Sequence, residues 1–407
     1  EKDGKEYRRV PEVLDCWFES GSMTFAQFHY PFAHKEYFEK NFPAQYVAEY
    51  IAQVRTWFYY MNVLSAILFD DIPFENVVTT GNILAEDGQK MSKSKDNFTD
   101  PMILVEKFGV DALRFYLSGA PVMNAQDMNF SDKQVEEIYK KVLVLLYNVN
   151  NFYELYASIP DEALDAKDTM DVWILSRFNS CAKDVDSFLK EYNTVKACSV
   201  IKEFIEDLST WYVRQSRDRF NAGDVQAKAT LTYVLENFAK LCAPIIPFVS
   251  EKVYQTIHGK DESVHLADWC APDPNMVNAG LNGEMKLVRR IVSEGLKCRD
   301  KNAIGLKWPL SQATVVCPFT LSDELINIRQ QELNVKSIVF ETCEDDKDLS
   351  VTLDTTLTPE LEAEGFSREI VRKIQAGRKK AGFVKEDVIE VYICLLYTSD
   401  AADDSLR

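Results

Sequence analysis

The most informative segment of the chain is Lys90-Met91-Ser92-Lys93-Ser94. It follows a predicted strand at residues 76–84 and a predicted turn at residues 86–89. Each lysine ammonium is a compact charge on a long flexible stem, which suits a triphosphate whose charge shifts during a reaction. Two such lysines on a mobile loop could close on ATP and stabilise the departing pyrophosphate. The alternative is a solvated basic loop, which the complete five-residue string after a strand makes the weaker interpretation.

The composition is that of an ordinary globular protein, with 407 residues of which 46% are hydrophobic and 27% charged. This length suffices for two or three domains with separate cores. No apolar run approaches the ~20 residues of a membrane-spanning helix, and the charged first six residues do not resemble a signal peptide. The chain also lacks an initiating methionine. We therefore expect it to be part of a longer protein.

Cysteine usage and charge narrow the class of protein further. The nine cysteines are scattered without the two-residue spacing of a zinc knuckle, and only four histidines are present. We therefore expect reduced thiols, no protein-bound metal and a cytoplasmic location. The net charge of −18 argues against a generic nucleic-acid coating protein and against DNA as a partner, since such proteins are basic. A local basic face could still bind RNA, although long-range attraction would be weak.

The first region of the chain alternates predicted strands and helices. Residues 47–50 and 76–84 read as strands, and residues 53–69 and 110–118 read as helices. This alternation with short connections predicts a parallel α/β sheet. Ligands of such sheets bind beyond the carboxyl ends of the strands, where the lysine segment lies.

The pattern becomes helical after residue 131. Apolar residues recur three and four positions apart over 135–149, 201–212 and 229–241, and prolines at 244 and 247 precede a further helix at 250–257. A helical bundle with short links is predicted. Beyond residue 268 an α+β domain is predicted, with strands at 313–317, 335–340, 349–353 and 388–393 and a helix at 359–380.

The predicted fold class is therefore multidomain, with an α/β half of Rossmann type, an α-helical bundle and a small α+β domain. The expected boundaries are 1–130, 131–275 and 276–394. Residues 395–407 fit no element, and we interpret them as a non-native tail.

Two segments of the first region contain candidate binding residues. Trp17 lies in the string Asp15-Cys16-Trp17-Phe18-Glu19-Ser20-Gly21 and could form one wall of an apolar pocket, or be a core tryptophan beside a turn. In residues 48–59, Glu49 could balance a substrate ammonium, or simply favour the dipole of the following helix.

The bundle contributes a third candidate, a pair of arginines. Arg214 and Arg217 lie three positions apart on one helix face and could meet phosphates or flank an unstacked base. The alternative is a solvated face in which Arg214 pairs with Asp218. The neighbouring Trp211 and Tyr212 continue the apolar stripe and are predicted to be core residues.

These segments resemble the class I aminoacyl-tRNA synthetases, and their isoleucyl type in particular. The lysine pentapeptide is similar to the second signature of the class. The string at 17–21, with Gln27-Phe28-His29-Tyr30-Pro31-Phe32, resembles the isoleucyl family, and residues 210–220 resemble its anticodon-binding domain. Further stretches at 111–116, 243–248, 306–310 and 362–369 agree with the same family. The resemblance covers the chain to about residue 393.

The resemblance implies that ATP activates isoleucine to isoleucyl-adenylate, which is then transferred to tRNA(Ile). The isoleucine carboxylate itself attacks the α-phosphorus, with Mg²⁺ shared among phosphate oxygens. The ATP-binding residues would be Lys90, Met91, Ser92, Lys93 and Ser94, with Lys90 and Lys93 acting in catalysis. The amino acid and its adenylate would contact Trp17, Glu49, Gln53 and Trp57. The tRNA would contact Arg214 and Arg217.

The chain departs from the family at several points. Tyr50, Ala52 and Thr56 stand where glycine, aspartate and glycine are usual, so recognition of the substrate amine would be rearranged. The first class signature, His-Ile-Gly-His, and the large editing insertion are absent from these 407 residues. We therefore expect a monomeric carboxyl-terminal fragment that alone neither activates isoleucine nor edits valine. The alternatives are a valyl-type synthetase and a non-catalytic tRNA-binding protein derived from a synthetase.

Overall fold

The computed structural model describes residues 3–4, 6–13, 15–95, 97–156, 162–317, 323–342, 349–384 and 387–392. The chain divides into two compact units, with the boundary between Asn278 and Ala279. The helices and strands at the start of the first unit are α1 (Cys16–Gly21), α2 (Met23–Ala26), α3 (Lys35–Asn41), β1 (Ala44–Tyr50), α4 (Trp57–Phe69), β2 (Phe74–Thr80), β3 (Ile83–Leu84), α5 (Pro101–Phe108), α6 (Val110–Ser118) and β4 (Met128–Asn129).

Two parallel strand pairs form the α/β part. β1 pairs with β2, with Val47 opposite Val77, and α4 connects the two strands as a crossover helix. β3 pairs with β4. Val47, Phe58 and Met61 form a buried apolar cluster beneath the crossover. The predicted parallel strand–helix–strand arrangement is confirmed, as is the helix over 110–118.

Two boundaries in this part differ from the prediction. The predicted strand over 76–84 is two strands, because the backbone at Gly81 leaves the ladder and its N–H donates to the carbonyl of Val122 at 2.8 Å. The helix predicted from residue 53 begins at Trp57, because residues Ile51–Arg55 form a 3-10 turn instead.

The rest of the first unit is helical. Its helices are α7 (Asp132–Ile138), α8 (Val144–Tyr156), α9 (Thr169–Lys190), α10 (Thr194–Glu206), α11 (Arg217–Asn221), α12 (Val225–Cys242) and α13 (Pro247–His258). π-helical turns at Tyr139–Leu143 and Asp207–Val213 continue the ends of α7 and α10. Phe178, Phe204 and Phe238 fill the core, where each is at most 1% exposed. The predicted bundle is confirmed, and the 22-residue α9 is a helix that the sequence patterns did not indicate.

The second unit is an α+β structure with α14 (Ala279–Lys301), β5 (Leu310–Cys317), α15 (Asp323–Leu333), β6 (Val335–Thr342), β7 (Ser350–Leu353) and α16 (Pro359–Lys380). β5 is central, parallel to β6 and antiparallel to β7. The buried guanidinium of Arg299 donates to four backbone carbonyls, including those of Leu333 and Asn334 at 3.0 Å. It thereby satisfies acceptors at the junction of α15 and β6.

The strand predicted over 388–393 is wrong in its described part. Residues 388–392 form no strand, and Val388 is 99% exposed, so no described neighbour supplies the hydrogen-bonding ladder that a strand requires. Residue 393 and the interpreted tail at 395–407 lie outside the described residues. No helix in the described ranges combines the length and apolarity needed to cross a membrane.

Candidate functional site

A cavity of about 520 Å³ opens at the carboxyl ends of β1 and β2. Tyr50 and Thr80 are the last residues of these strands, and both line it. The remaining lining residues are Gly81, Asn82, Ile83, Leu84, Lys90, Leu117, Val122 and Met123. The cavity is therefore mostly apolar, with one cationic side chain at its edge. This is where parallel α/β sheets bind their ligands.

Hydrogen bonds of Asn82 hold part of the lining of the cavity. The N–H and the side-chain amide of Asn82 both donate to one oxygen of Asp127, at 2.8 and 2.9 Å. The carbonyl of Asn82 accepts from the N–H of Met128 at 2.9 Å. β4 is thereby fastened beside the end of β2.

Substituting Gly81 with alanine is expected to destabilise the first unit by about 1–3 kcal/mol. A Cβ at residue 81 would lie 2.1 Å from the carbonyl oxygen of Gln126, and a backbone atom cannot move aside as a side chain can. The measurement is hydrogen exchange of peptides spanning β2 and β3. Gly283→Ala is the control, because nothing lies within 4 Å of its added Cβ. It lies in α14, so it should stabilise the second unit by roughly 0.5–1 kcal/mol. Unchanged exchange in Gly81→Ala would contradict the close approach.

A tight turn directs Lys90 towards the cavity. The N–H of Ala85 donates to the carbonyl of Gln89, and the N–H of Gly88 to the carbonyl of Ala85, both at 2.8 Å. Gly88 has φ +77°, a conformation that glycine adopts without strain. Lys90 then forms an antiparallel bridge with Leu84, so its backbone is held against β3. Its exposed side chain lines the cavity.

The segment after Lys90 is braced by a residue that the sequence did not indicate. Asn97 accepts from the N–H of Ser92 at 2.9 Å and donates its side-chain amide to the carbonyl of Lys90 at 3.2 Å. The hydroxyls of Ser92 and Ser94 lie 2.8 Å apart. An asparagine beyond the five-residue string carries no recognisable spacing, so only the structure identifies its role.

The other residues of the pentapeptide face different surroundings. Met91 lines a second cavity, of about 1060 Å³. Lys93 begins the 3-10 turn Lys93–Lys95, and its side chain lies outside the described part of the structure. The neighbouring Lys95 donates to the side chain of Gln89 at 2.9 Å. Lys90 is thus the described lysine of this loop that lines the cavity at the strand ends.

The four residues predicted to bind the amino acid lie in α1, at the end of β1 and around the start of α4. The indole N–H of Trp57 donates to the carbonyl of Ser20 at 3.0 Å, which fixes α4 against α1, where Trp17 is half-buried. Gln53 accepts from the hydroxyl of Thr56 at 2.6 Å and from the N–H of Trp57 at 3.2 Å, and so caps the start of α4. Glu49 is exposed at the end of β1.

None of these four lines the described cavity beside Lys90. The structure brings Trp57, Gln53 and α1 together around the start of α4.

The predicted RNA-binding arginines lie at the surface of the bundle. Arg214 donates to the carbonyl of Thr210 at 2.8 Å, and its guanidinium carbon lies 5.8 Å from the ring centre of Trp211. Arg217 lies 6.0 Å from the ring centre of Phe152. Both arginines are exposed, whereas Trp211 is 8% and Tyr212 0% exposed. The prediction that these two aromatic residues belong to the core is confirmed.

A partly buried ionic cluster stabilises the bundle close to those arginines. Arg219 makes two hydrogen bonds to the fully buried Asp171, at 3.0 and 2.6 Å, and one to Asp224 at 2.8 Å. Asp168 lies 3.0 Å from the same guanidinium, and Tyr212 donates to Asp171 at 2.8 Å. Burial acts to lower the pKa of Arg219, but its hydrogen bonds to Asp171 and Asp224 raise the pKa overall.

Helix α6 connects the bundle to the region of the lysine loop, which comprises residues 90–95. Arg114 donates to the carbonyls of Ile245 and Pro244, both at 3.0 Å. The buried Asp111 accepts from the N–H of Val249 at 2.7 Å, in the first turn of α13. Burial raises the pKa of Asp111 above its usual value. These contacts fix the position of α13 relative to the segment that follows the lysine loop.

Comparison with known families defines the class of protein. Residues 1–131 match the family of class I tRNA synthetases (I, L, M and V), and residues 171–316 match the anticodon-binding domain of tRNA ligase. The chain therefore contains a class I tRNA synthetase domain and an anticodon-binding domain. The lysine loop falls within the first match, and the two exposed arginines fall within the second.

The curated relatives are isoleucine--tRNA ligases. That of Clostridium acetobutylicum is 35% identical, over 96% of this chain and 47% of the relative. That of Clostridium tetani is 40% identical, over 88% of this chain and 36% of the relative. The chain spans less than half the length of these relatives.

A solved structure shares the fold of the chain. It is the ternary complex of Agrobacterium radiobacter K84 agnB2 LeuRS with tRNA and LeuAMS, with a TM-score of 0.54 at 18% identity. The match covers 86% of this chain and 43% of that one.

Proposed function

We propose that the chain is part of an isoleucine–tRNA ligase, which uses ATP to form isoleucyl-adenylate and then transfers isoleucine to tRNA(Ile). The observation that carries this proposal is the position of Lys90, at the edge of a cavity beyond the ends of two parallel strands. The names of the relatives supply isoleucine as the amino acid.

The lysine loop would act on the triphosphate. Lys90 and Lys93 would stabilise the charge that develops on pyrophosphate, while Met91, Ser92 and Ser94 shape the loop that carries them. No described set of three His, Cys, Asp or Glu residues could hold a metal ion. Mg²⁺ would enter with ATP as part of the substrate, coordinated by phosphate oxygens. Positioning and charge stabilisation account for the chemistry, because the isoleucine carboxylate is itself the nucleophile.

The amino acid would bind near the start of α4. Trp17 and Trp57 offer apolar surfaces on adjoining helices, since Trp57 is fixed to α1 through Ser20. Glu49 would provide the anionic partner of the substrate ammonium, and Gln53 would contact the adenylate. Both lie within a few residues of Tyr50, which lines the cavity.

We propose the following division of the chain into functional parts. Residues 1–130 form a Rossmann-type catalytic part, residues 131–275 bind the anticodon through Arg214 and Arg217, and residues 276–394 form an α+β domain. The protein acts as a monomer in the cytoplasm.

Binding to two tRNAs tests the proposal. The 407-residue chain is expected to bind tRNA(Ile) at least about tenfold more tightly than a copy with an exchanged anticodon. Arg217→Gln should weaken binding, whereas Lys260→Gln, at an exposed position of the loop after α13, should not. Equal affinity for both tRNAs would contradict an isoleucine-specific anticodon reader. No binding by a chain shown to be folded would contradict a tRNA-binding role.

A further inference from the structure

The second half of α16 is the most concentrated basic segment of this acidic chain. Residues 368–380 contain six basic residues and one acidic residue, in a protein with a net charge of −18. Residues 371–373, 375–377 and 379–380 are exposed, so this part of the helix has little contact with the rest of its unit. We propose that its basic face binds the phosphate backbone of tRNA. The proposal rests on the proposed function, because it takes tRNA as the partner.

Helical spacing arranges the cations into two parallel rows. Lys373 and Lys380 are seven positions apart and share one row, and Arg372 and Lys379 share the adjacent row. The members of each row are separated by about 10.5 Å along the axis. Ala376 lies between the rows, where its small side chain allows a phosphate to approach the helix closely. We call these four cations, Arg372, Lys373, Lys379 and Lys380, the α16 basic face.

Structural roles account for the other basic residues of the helix. Arg368 donates to Asn334 and to Glu364, both at 2.6 Å. Arg378 donates to the carbonyls of Val384 and Asp387, at 2.8 and 2.9 Å, and so closes the turn after the helix. Of the four members of the α16 basic face, Arg372 makes an ion pair in the described part of the chain, to Glu369 at 2.7 Å.

Lys373, Lys379 and Lys380 have no such role, since they make no ion pair within the described part of the chain. Lysines in the last turn of a helix interact favourably with the helix dipole, and this explains in part why Lys379 and Lys380 occur there. It does not explain Lys373, which lies two turns before the end, because the effect of the dipole falls off within the last turn.

The surroundings of the face suit RNA. Phe383, just beyond the helix, is 47% exposed, and an exposed ring offers a stacking surface for an unpaired base. The α16 basic face also lies outside both family matches, which end at residues 131 and 316. It would therefore add to the contacts made by the anticodon-binding domain.

The test compares tRNA(Ile) binding by the whole chain, the triple variant K373Q/K379Q/K380Q and the matched control K260Q/K286Q/K301Q. The control also removes three exposed lysines and changes the net charge equally. The affinity of each protein is measured from 50 to 200 mM salt, and far-UV circular dichroism checks that each is folded. The triple variant should bind about 10–100-fold more weakly near 0.1 M salt. The plot of the logarithm of the association constant against the logarithm of the salt concentration should become less steep, by about 2 in the magnitude of its slope. If the triple variant keeps the helix content of the wild-type chain, the change in slope cannot be explained by unfolding.

Each outcome bears on a different claim. If the wild-type chain binds tRNA(Ile) but the triple variant matches the control, the α16 basic face is not an RNA-binding surface, and the proposed function is unaffected. If the wild-type chain binds no tRNA, both proposals are wrong. If the triple variant loses binding to heparin and tRNA(Ile) alike while anticodon discrimination persists, the face contributes backbone contacts only, as proposed.

Discussion

Replacing Lys90 with alanine is expected to lower kcat for isoleucine-dependent ATP–pyrophosphate exchange about 10²–10³-fold. The turn at 85–89 and the bridge to Leu84 hold the backbone of Lys90 beside the cavity at the strand ends. A cation placed there stabilises charge that develops on the departing pyrophosphate, so its loss should affect the transition state more than the ground state. The Michaelis constant for ATP should therefore change less than kcat.

Because the chain covers 36% of the Clostridium tetani isoleucine--tRNA ligase, exchange is measured in that enzyme with its matching segment replaced by this chain. Lys95→Ala is the matched control. Lys95 belongs to the same loop and is exposed, but its ammonium is bound to Gln89, 2.9 Å away, and it does not line the cavity. It should lower kcat less than about threefold. Equal losses in the two variants would show that general loop charge, and not the position of Lys90, supports the reaction.

The lysine loop could be predicted from sequence because its geometry is local. The end of β2, the turn and Lys90 follow one another within a few residues, so their order alone places the lysine near the carboxyl end of a strand. Leu117, Val122 and Met123 also line the cavity. No spacing in the sequence relates these residues to Lys90. The brace from Asn97 is likewise visible only in three dimensions.

The fold shows the same division between local and distant determinants. The local sequence pattern predicted α6 and α16 with the observed bounds, from the alternation of strands and helices and from Pro359 and Gly382 at the ends of α16. It did not predict the break at Gly81, which arises from a close approach to Gln126, 45 positions later in the chain. It also gave no sign of the carboxylates around Arg219, since Asp171 lies 48 positions away on another helix. Such contacts join segments that are far apart in the sequence, and neither segment alone has a pattern that indicates the contact.

Replacing Arg219 with methionine is expected to destabilise the helical bundle by about 3–5 kcal/mol. Asp171 is fully buried, and without the guanidinium its carboxylate would be an uncompensated charge in a medium of low dielectric constant. Asp224 would also lose its partner, although it would still cap α12 through the N–H groups of Gln226 and Ala227. The measurement is hydrogen exchange of peptides from α9 and α12, which reports the free energy of opening in this part of the chain.

Two further variants show whether the loss of stability in Arg219→Met comes from the unpaired charge or from lost packing. Adding Asp171→Asn to Arg219→Met removes the unpaired charge while keeping an acceptor for the hydroxyl of Tyr212, so it should recover about 1–3 kcal/mol. Arg217→Met should cost less than about 1 kcal/mol, because among the described residues this exposed side chain makes only a distant contact, with Phe152. If Arg219→Met were as stable as Arg217→Met, Asp171 would not need its guanidinium partner. If Asp171→Asn gave no recovery, the loss would come from packing of the arginine stem and not from the buried carboxylate.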